Sequence, residues 1–442
     1  MMDDQLAALI GYLAQKTGLI LSGTQRADLL RYLATRMATL GAASAADYIA
    51  RLDDPSEFRA LIDTLTVKET FFYRYEAQFD AFKDELLPGF LASARAEGRS
   101  VKLWSAGCCT GEEAYTLALL SAEAGCLDAV DILATDINEG YLEAAMEGSF
   151  SRRSVEKLSA ALVAKYFSAR QDRFILNEDV RRRVTLKYLN LAEAGFPSFL
   201  NGTSHLDMIF CRNVLIYFDK ARVRDIIDRF AECLRPAGVL ALGHSEMLPR
   251  DWPLTVGQVA AAFFYHKRPS VPRTSHIVAP PPVISTHKPH RVRTPRGVVP
   301  PSPSEEAKED DGQLLLRAER LADKGHADDA ARLCREVLAR DASLERAHYL
   351  LGLLALDRPE QAFEHFRKAL YLDPSHLLAR LHLAQCAEKT GRVADAVREY
   401  RNLERMARAK APEEILDPAE GITYGMLALM GRSGVERQGG VP

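Results

Sequence analysis

The run Val101-Lys-Leu-Trp-Ser-Ala-Gly-Cys-Cys-Thr-Gly-Glu-Glu-Ala-Tyr115, followed by Asp131-Ile-Leu-Ala-Thr-Asp-Ile137, decides the fold. A short apolar segment leads into a turn with Gly107 and Gly111, a helix-compatible run opens at Glu112, and a second apolar segment ends on Asp136. Strand, glycine turn, helix and strand open a doubly wound α/β sheet. The glycines let the backbone approach a ligand closely, and the helix start leaves N–H groups unpaired. An acid at the end of the second strand lies where ribose hydroxyls are gripped. The run reads as an adenosine-cofactor site.

Strands and helices keep alternating from there: Val184 to Tyr188, Leu206 to Phe210 and Val239 to Gly243 read as further strands of a parallel sheet over residues 91–268. Between Gly148 and Tyr188 two apolar runs around a polar turn, Phe174 to Leu186, predict a small antiparallel hairpin inserted into the sheet's connections. Upstream, residues 1–90 carry apolar side chains at helical spacing (Leu6, Leu9, Ile10, Leu13; Leu29, Leu30, Leu33, Met37), broken by Gly18, Gly23 and Gly41. This predicts an all-α N-terminal domain and connector. Its Arg26, Arg31 and Arg36 form either a solvated face or a docking strip for an acidic partner helix.

Ten of the 21 prolines fall between Pro269 and Pro303, so residues 269–311 read as an extended linker. Beyond it Ala330, Ala362 and Ala396 recur at intervals of 32 and 34 residues, with Ala318 and Ala384 each twelve residues before one of them. Gly325 and Gly391 occupy equivalent turns, and Asp341 and Asp373 equivalent ends. Paired helices touching at small residues resemble tetratricopeptide repeats, over residues 312–410. Such an array presents a concave surface, so a bound protein or peptide is the expected partner. The glycine-rich stretch 411–442 reads as a flexible tail.

The net charge of -3 and the pI near 6.4 give no general drive toward nucleic acid. Seven scattered cysteines form neither a CxxC pair nor a Cys/His ladder, so no metal is expected and reduced thiols in a cytoplasm fit best. No apolar run reaches membrane-spanning length.

The turn itself narrows the cofactor. Ser105-Ala-Gly-Cys-Cys-Thr-Gly111 lacks the third glycine of a dinucleotide fingerprint, and Gly111 precedes Glu112 and Glu113 instead of the Lys-Ser/Thr of a P-loop. Two carboxylates there repel phosphate and favour a cation. S-adenosylmethionine, a sulfonium with an α-amino group and an adenosine, fits, with Glu113 meeting the amino group and Asp136 the ribose.

Four segments then resemble a family: Trp104-Ser-Ala-Gly-Cys-Cys-Thr-Gly-Glu-Glu113, Ala134-Thr-Asp-Ile137, Phe210-Cys-Arg-Asn-Val-Leu-Ile-Tyr-Phe218 and Gly243-His-Ser-Glu246. Over residues 1 to about 268 the chain resembles chemotaxis receptor methyltransferases of the CheR type, here joined to a C-terminal repeat domain. The resemblance implies a class I S-adenosylmethionine-dependent methyltransferase sheet and transfer of the methyl group to glutamate side chains of a chemoreceptor's cytoplasmic coiled coil. It also implies cofactor contacts from Lys68, Thr70, Arg74, Gly107, Glu113, Asp136, Asn190, Leu191, Arg212 and Asn213. Lys68 stands where family members commonly have Asn, and its expected role is to pair with the cofactor's carboxylate. Arg74 is the expected holder of the incoming carboxylate, and Tyr217 is expected to line the transfer gap. His244 reads as structural. Arg181-Arg-Arg183 is either solvated or faces an acidic receptor. Two other functions stay open: a cofactor-sensing scaffold without turnover, and a class I methyltransferase of another substrate.

Overall fold

The structure, a computed structural model, describes residues 2–249, 252–267, 310–323, 325–412, 414–417 and 422–438. The proline-rich segment predicted as a linker thus lies almost wholly outside the described residues. No described helix is long and apolar enough to cross a membrane.

Helices Met2–Thr17, Gly23–Leu40, Ala45–Ile49 and Pro55–Leu65 form the N-terminal unit. Ser22 starts the second of these by a capping box with Gln25. Leu9, Leu13, Leu29 and Leu33 meet Tyr48, Leu52, Leu61 and Leu65 in one core, whereas Leu30 is left 37% exposed. The three arginines part company. Arg36 donates to the buried Glu57 carboxylate, which also accepts from the Tyr48 hydroxyl at 2.7 Å. Arg26 donates to the Leu21 carbonyl but stays exposed, as does Arg31, paired with Asp28.

The central sheet is built from strands β1 (Val101–Ala106), β2 (Val130–Asp136), β6 (Val184–Tyr188), β7 (Leu206–Cys211), β8 (Leu234–Leu242), β9 (Leu254–Val259) and β10 (Ala262–Lys267). Its order is β6-β2-β1-β7-β8-β10-β9. The first five run parallel, and β10 is antiparallel to both its neighbours. Trp104 in β1 is fully buried, its indole N–H donating to the Thr135 hydroxyl at 2.9 Å. The strand order reverses at β1, with β2 and β6 on one side and β7 and β8 on the other, and this opens a crevice at the strands' carboxyl ends.

A separate three-stranded antiparallel sheet contains β3 (Ser149–Ser151), β4 (Phe167–Arg170) and β5 (Arg173–Leu176), ordered β3-β5-β4. The inserted hairpin is therefore real, but its strands are Phe167–Arg170 and Arg173–Leu176. The expected second arm, Val184 to Leu186, belongs to β6, because the short helix Glu178–Arg181 intervenes. Arg181 caps the Met146 and Glu147 carbonyls, while Arg182 and Arg183 pair with Asp179 and Asp128. This triplet is engaged by its own chain.

Three helix pairs follow: Asp311–Asp323 with Ala327–Arg340, Glu345–Leu354 with Pro359–Leu372, and Leu377–Lys389 with Val393–Ala407. The repeated alanines, Ala318, Ala330, Ala362, Ala384 and Ala396, are all fully buried. Asp341 and Asp373 each accept a bond from the N–H of the serine two residues on, closing equivalent pairs with one turn type. The tail expectation needs correction, since Tyr424–Arg437 is a helix packed on Val393–Ala407. Its glycines are contact points: a Cβ on Gly431 would fall 2.7 Å from Glu404 N, and one on Gly434 2.3 Å from the Tyr400 ring. Gly439 and Gly440 lie outside the described residues.

The repeats touch the sheet domain at two ends. Phe199 N–H donates to Asp323, whose carbonyl meets the His205 ring at 2.9 Å. At the other end Arg437 bridges Glu388 at 3.0 Å and Glu178 at 3.4 Å.

Candidate active site

At the crevice lies a cavity of about 300 Å³ bounded by strand ends, the Thr66–Arg74 connector and the N-terminal helices. Gly107 (φ 77°) and Gly111 (φ 92°) make the turn after β1, and the Gly107 and Cys108 N–H groups donate to the Thr135 carbonyl at 2.8 and 2.9 Å. A Cβ on Gly111 would lie 2.8 Å from the Tyr115 ring and 2.9 Å from Ala145, so helix Glu112–Glu123 could not start there with a larger residue.

The two acids after Gly111 have different fates. Glu113 lines the cavity, its carboxylate accepting from Ser105 Oγ at 2.6 Å and from Arg212 Nε at 2.6 Å. Glu112 is buried against the Thr110 hydroxyl, and burial raises its pKa. One carboxylate, matched by Arg212, faces the cavity where the sequence suggested two. The geometry therefore weakens the charge argument for a cation while keeping an acid beside the glycine turn.

Asp136 closes β2. Its oxygens accept from Cys109 N at 2.8 Å and Asn138 N at 2.9 Å, which orients the carboxylate, and burial pushes its pKa up to about 6. An ionised carboxylate has about four lone-pair sites, so two remain for a ligand's hydroxyls.

After β7 come Arg212 and Asn213. Arg212 is buried, donates to Glu113 and the Arg74 carbonyl (2.6 Å), and lies 4.4 Å from the Phe79 ring centroid. Asn213 has φ 62°, and its side-chain Oδ1 is buried without a partner among the described residues. An acceptor left unsatisfied in a cavity wall fits a ligand donor.

Asn190 and Leu191, past β6, also line the cavity. The Asn190 amide donates to Lys16 O at 2.8 Å and to Glu193, so this side chain ties the N-terminal helices to the site. From the connector, Thr70 and Arg74 line the cavity. Lys68 is exposed and lies outside the lining, its charge acting instead on Glu112.

Tyr217 sits in the short helical turn Leu215–Tyr217 at the cavity wall, where burial raises its pKa and the Arg74 charge opposes that shift. Ile20 N–H donates to the Tyr217 carbonyl at 2.7 Å, so the N-terminal domain braces this turn. Sequence reasoning placed no site residue before Lys68. The structure adds Thr17, Leu19 and Gln25 from the N-terminal domain and Tyr141 from the helix after β2. No local motif marks them, and the first three reach the cavity only through domain packing. Glu246, quoted in Gly243-His-Ser-Glu246 without a role, accepts four backbone N–H bonds beside the cavity.

An order of β6-β2-β1-β7-β8-β10-β9, with a glycine turn, a β2 acid and an unsatisfied acceptor round one crevice, defines a class I methyltransferase, and S-adenosylmethionine fits this donor set. Known proteins agree. The family described as CheR methyltransferase, SAM binding domain matches residues 68–260, and CheR methyltransferase, all-alpha domain, matches residues 4–66. A tetratricopeptide repeat family matches residues 353–411. The chain is 30% identical to "Probable biofilm formation methyltransferase WspC" of Pseudomonas putida, over 91% of this chain and 98% of that protein. It is also 36% identical to "Chemotaxis protein methyltransferase 2" of Vibrio cholerae, over 56% of this chain and 87% of that one. The chain belongs to the CheR methyltransferase family and is an S-adenosylmethionine-dependent methyltransferase.

Proposed function

We propose that this enzyme is a protein-glutamate O-methyltransferase of chemosensory signalling. It acts in the cytoplasm on the coiled coil of a chemoreceptor, giving glutamate methyl esters, and its repeats dock a protein partner. The observation that carries the substrate is Arg74. Its Nη1 donates to the Glu69 carbonyl at 2.7 Å, and the rings of Phe71 and Tyr75 flank the guanidinium at 5.8 and 5.4 Å. The rest of the planar fork makes no hydrogen bond among the described residues, at the wall of the cavity. A fork held on one edge and open on the other suits a carboxylate.

S-adenosylmethionine supplies a methyl group already activated on a sulfonium. A glutamate carboxylate is an anion at neutral pH, so the protein has no proton to remove and acts by orientation and exclusion of water. In this reading Asp136 takes the ribose hydroxyls, Asn213 Oδ1 accepts from the cofactor, and Glu113 with its Arg212 partner lies beside the amino-acid end. Arg74 draws the acceptor carboxylate in, and the Tyr217 hydroxyl, without a hydrogen bond among the described residues, faces the transfer gap. Thr70, Asn190 and Leu191 shape the walls, and Gly107 keeps the turn low. Lys68 keeps its proposed partner, the cofactor's carboxylate, only if the connector moves on binding.

The test is incubation of the purified chain with tritiated S-adenosylmethionine and receptor-containing membranes. Base-labile methyl label on the receptor is expected, and its absence, with intact cofactor binding, removes the glutamate assignment.

A further inference from the structure

Helix Lys220–Cys233 and strand β8 return the chain to the crevice at Gly243-His-Ser-Glu246. There Glu246, 7% exposed, converges with the segment after β7. Its Oε2 accepts from Asn213 N at 2.8 Å and Gly243 N at 2.7 Å. Its Oε1 accepts from Val214 N at 2.8 Å and Leu215 N at 2.7 Å. Three successive N–H groups pointing one way form a concavity suited to an anion, and here the anion is the chain's own. The cost of burying a carboxylate is offset by these four bonds.

Two further facts show that this contact shapes Asn213. The residue sits at φ 62°, a region that side-chain-bearing residues enter uncommonly. A Cβ on Gly243 would lie 3.0 Å from Asn213 N and 2.7 Å from Glu246 Oε2, so the close approach needs glycine there. The outcome is an Asn213 Oδ1 that is buried, without a partner among the described residues, and part of a residue lining the cavity.

We infer that Glu246 is the positioning residue of the cofactor site: closed over four backbone N–H groups, it holds Asn213 in its left-handed turn and so presents Asn213 Oδ1 to the cofactor. This rests on the proposed assignment of Asn213 to cofactor binding. Glu246 is not among the cavity-lining residues and acts through the backbone. A carboxylate is required because all four positions must accept. In Glu246→Gln the amide NH₂, whichever way it turns, opposes two N–H donors.

The experiment measures affinity of the full chain for S-adenosylhomocysteine by calorimetry, amide exchange at residues 213–215, and KM for cofactor and for acceptor. Glu246→Gln is expected to weaken the affinity by about tenfold or more, the scale of a lost charge-assisted bond. Exchange at 213–215 should quicken, and KM should rise for the cofactor with little change for the acceptor. Faster exchange with affinity unchanged would make Glu246 a structural brace only and overturn the inference. Should Glu246→Gln fail to fold, Asn213→Ala, which keeps the backbone donors, is expected to lose a similar factor. Affinity within about twofold of the native chain, well under the 1.4 kcal/mol of a tenfold change, would equally overturn it. Where both variants fold, their effects should not add, since one acts through the other. Asp136→Ala separates the two layers of argument. If it abolishes binding while Glu246→Gln and Asn213→Ala do not, only the role of Glu246 falls; if none of the three matters, the cofactor-site assignment falls with it.

Discussion

Single residues at the crevice show how burial and hydrogen bonding set chemistry. Asp136 is held by two backbone N–H groups, yet its buried position moves its pKa up to about 6. A raised value means that the folded chain binds this proton more tightly than the unfolded one. Its contribution to stability is therefore present at acid pH and lost as pH rises through about 6. Ribose hydroxyls need the ionised form as acceptor, so affinity for S-adenosylhomocysteine is expected to fall as pH drops through about 6, a slope that Asp136→Asn should flatten in calorimetric titrations. Asp136→Ala should weaken binding at neutral pH by about 1.5 to 3 kcal/mol, the usual range for hydrogen bonds to a charged group. Arg74→Ala should lower kcat/KM for the receptor by a comparable about 1.5 to 3 kcal/mol, with cofactor affinity changing less. Steady-state kinetics against each reactant distinguish the two.

Among the elements, the most instructive misreadings involve turns and glycines. The β9–β10 hairpin went unread because its turn is Ala260-Ala261, with Ala260 at φ 50°, where Asn or Gly would have signalled a two-residue reversal. The last helix went unread for the opposite reason. Gly425, Gly431 and Gly434 look like flexibility along the chain, whereas in space Gly431 and Gly434 let Tyr424–Arg437 approach Val393–Ala407, and Gly425 packs on Pro412. A side chain at Gly434 must collide with Tyr400. Gly434→Leu is expected to cost about 1 to 3 kcal/mol, as overpacking does. Limited proteolysis should then release this helix, with loss of the Arg437 contacts to Glu388 and Glu178.

At the scale of the whole molecule, the repeats are held at both ends of their array. Phe199 and Leu200, which meet the first repeat, belong to the same connection that carries Asn190 and Leu191 to the cavity. Every cavity-lining residue nonetheless precedes the repeats. Removing residues from 311 onward is therefore expected to leave S-adenosylhomocysteine affinity within about 0.5 kcal/mol, the scatter for independent sites. Calorimetry on the shortened chain checks this. A larger loss would show that the Asn190 to Leu200 connection depends on the repeats for its order.

The sequence by itself determined the sheet's parallel strands, the glycine turn with its β2 acid, and the repeating helix pairs. Each is written in local periodicity or in residues that a backbone conformation demands. Gly107 and Gly111 both proved to have positive φ, and the five repeat alanines all proved buried. Only the tertiary structure decided which groups stay free at the crevice. Glu113 is matched by Arg212, Asn190 is spent on Lys16, and Lys68 stands outside the lining, while Asn213 Oδ1 is buried without a partner among the described residues. These partners are far apart along the chain, and Glu246 meets Asn213 across 33 residues. Hydrogen-bond satisfaction is a property of three-dimensional neighbours, so no local pattern records it.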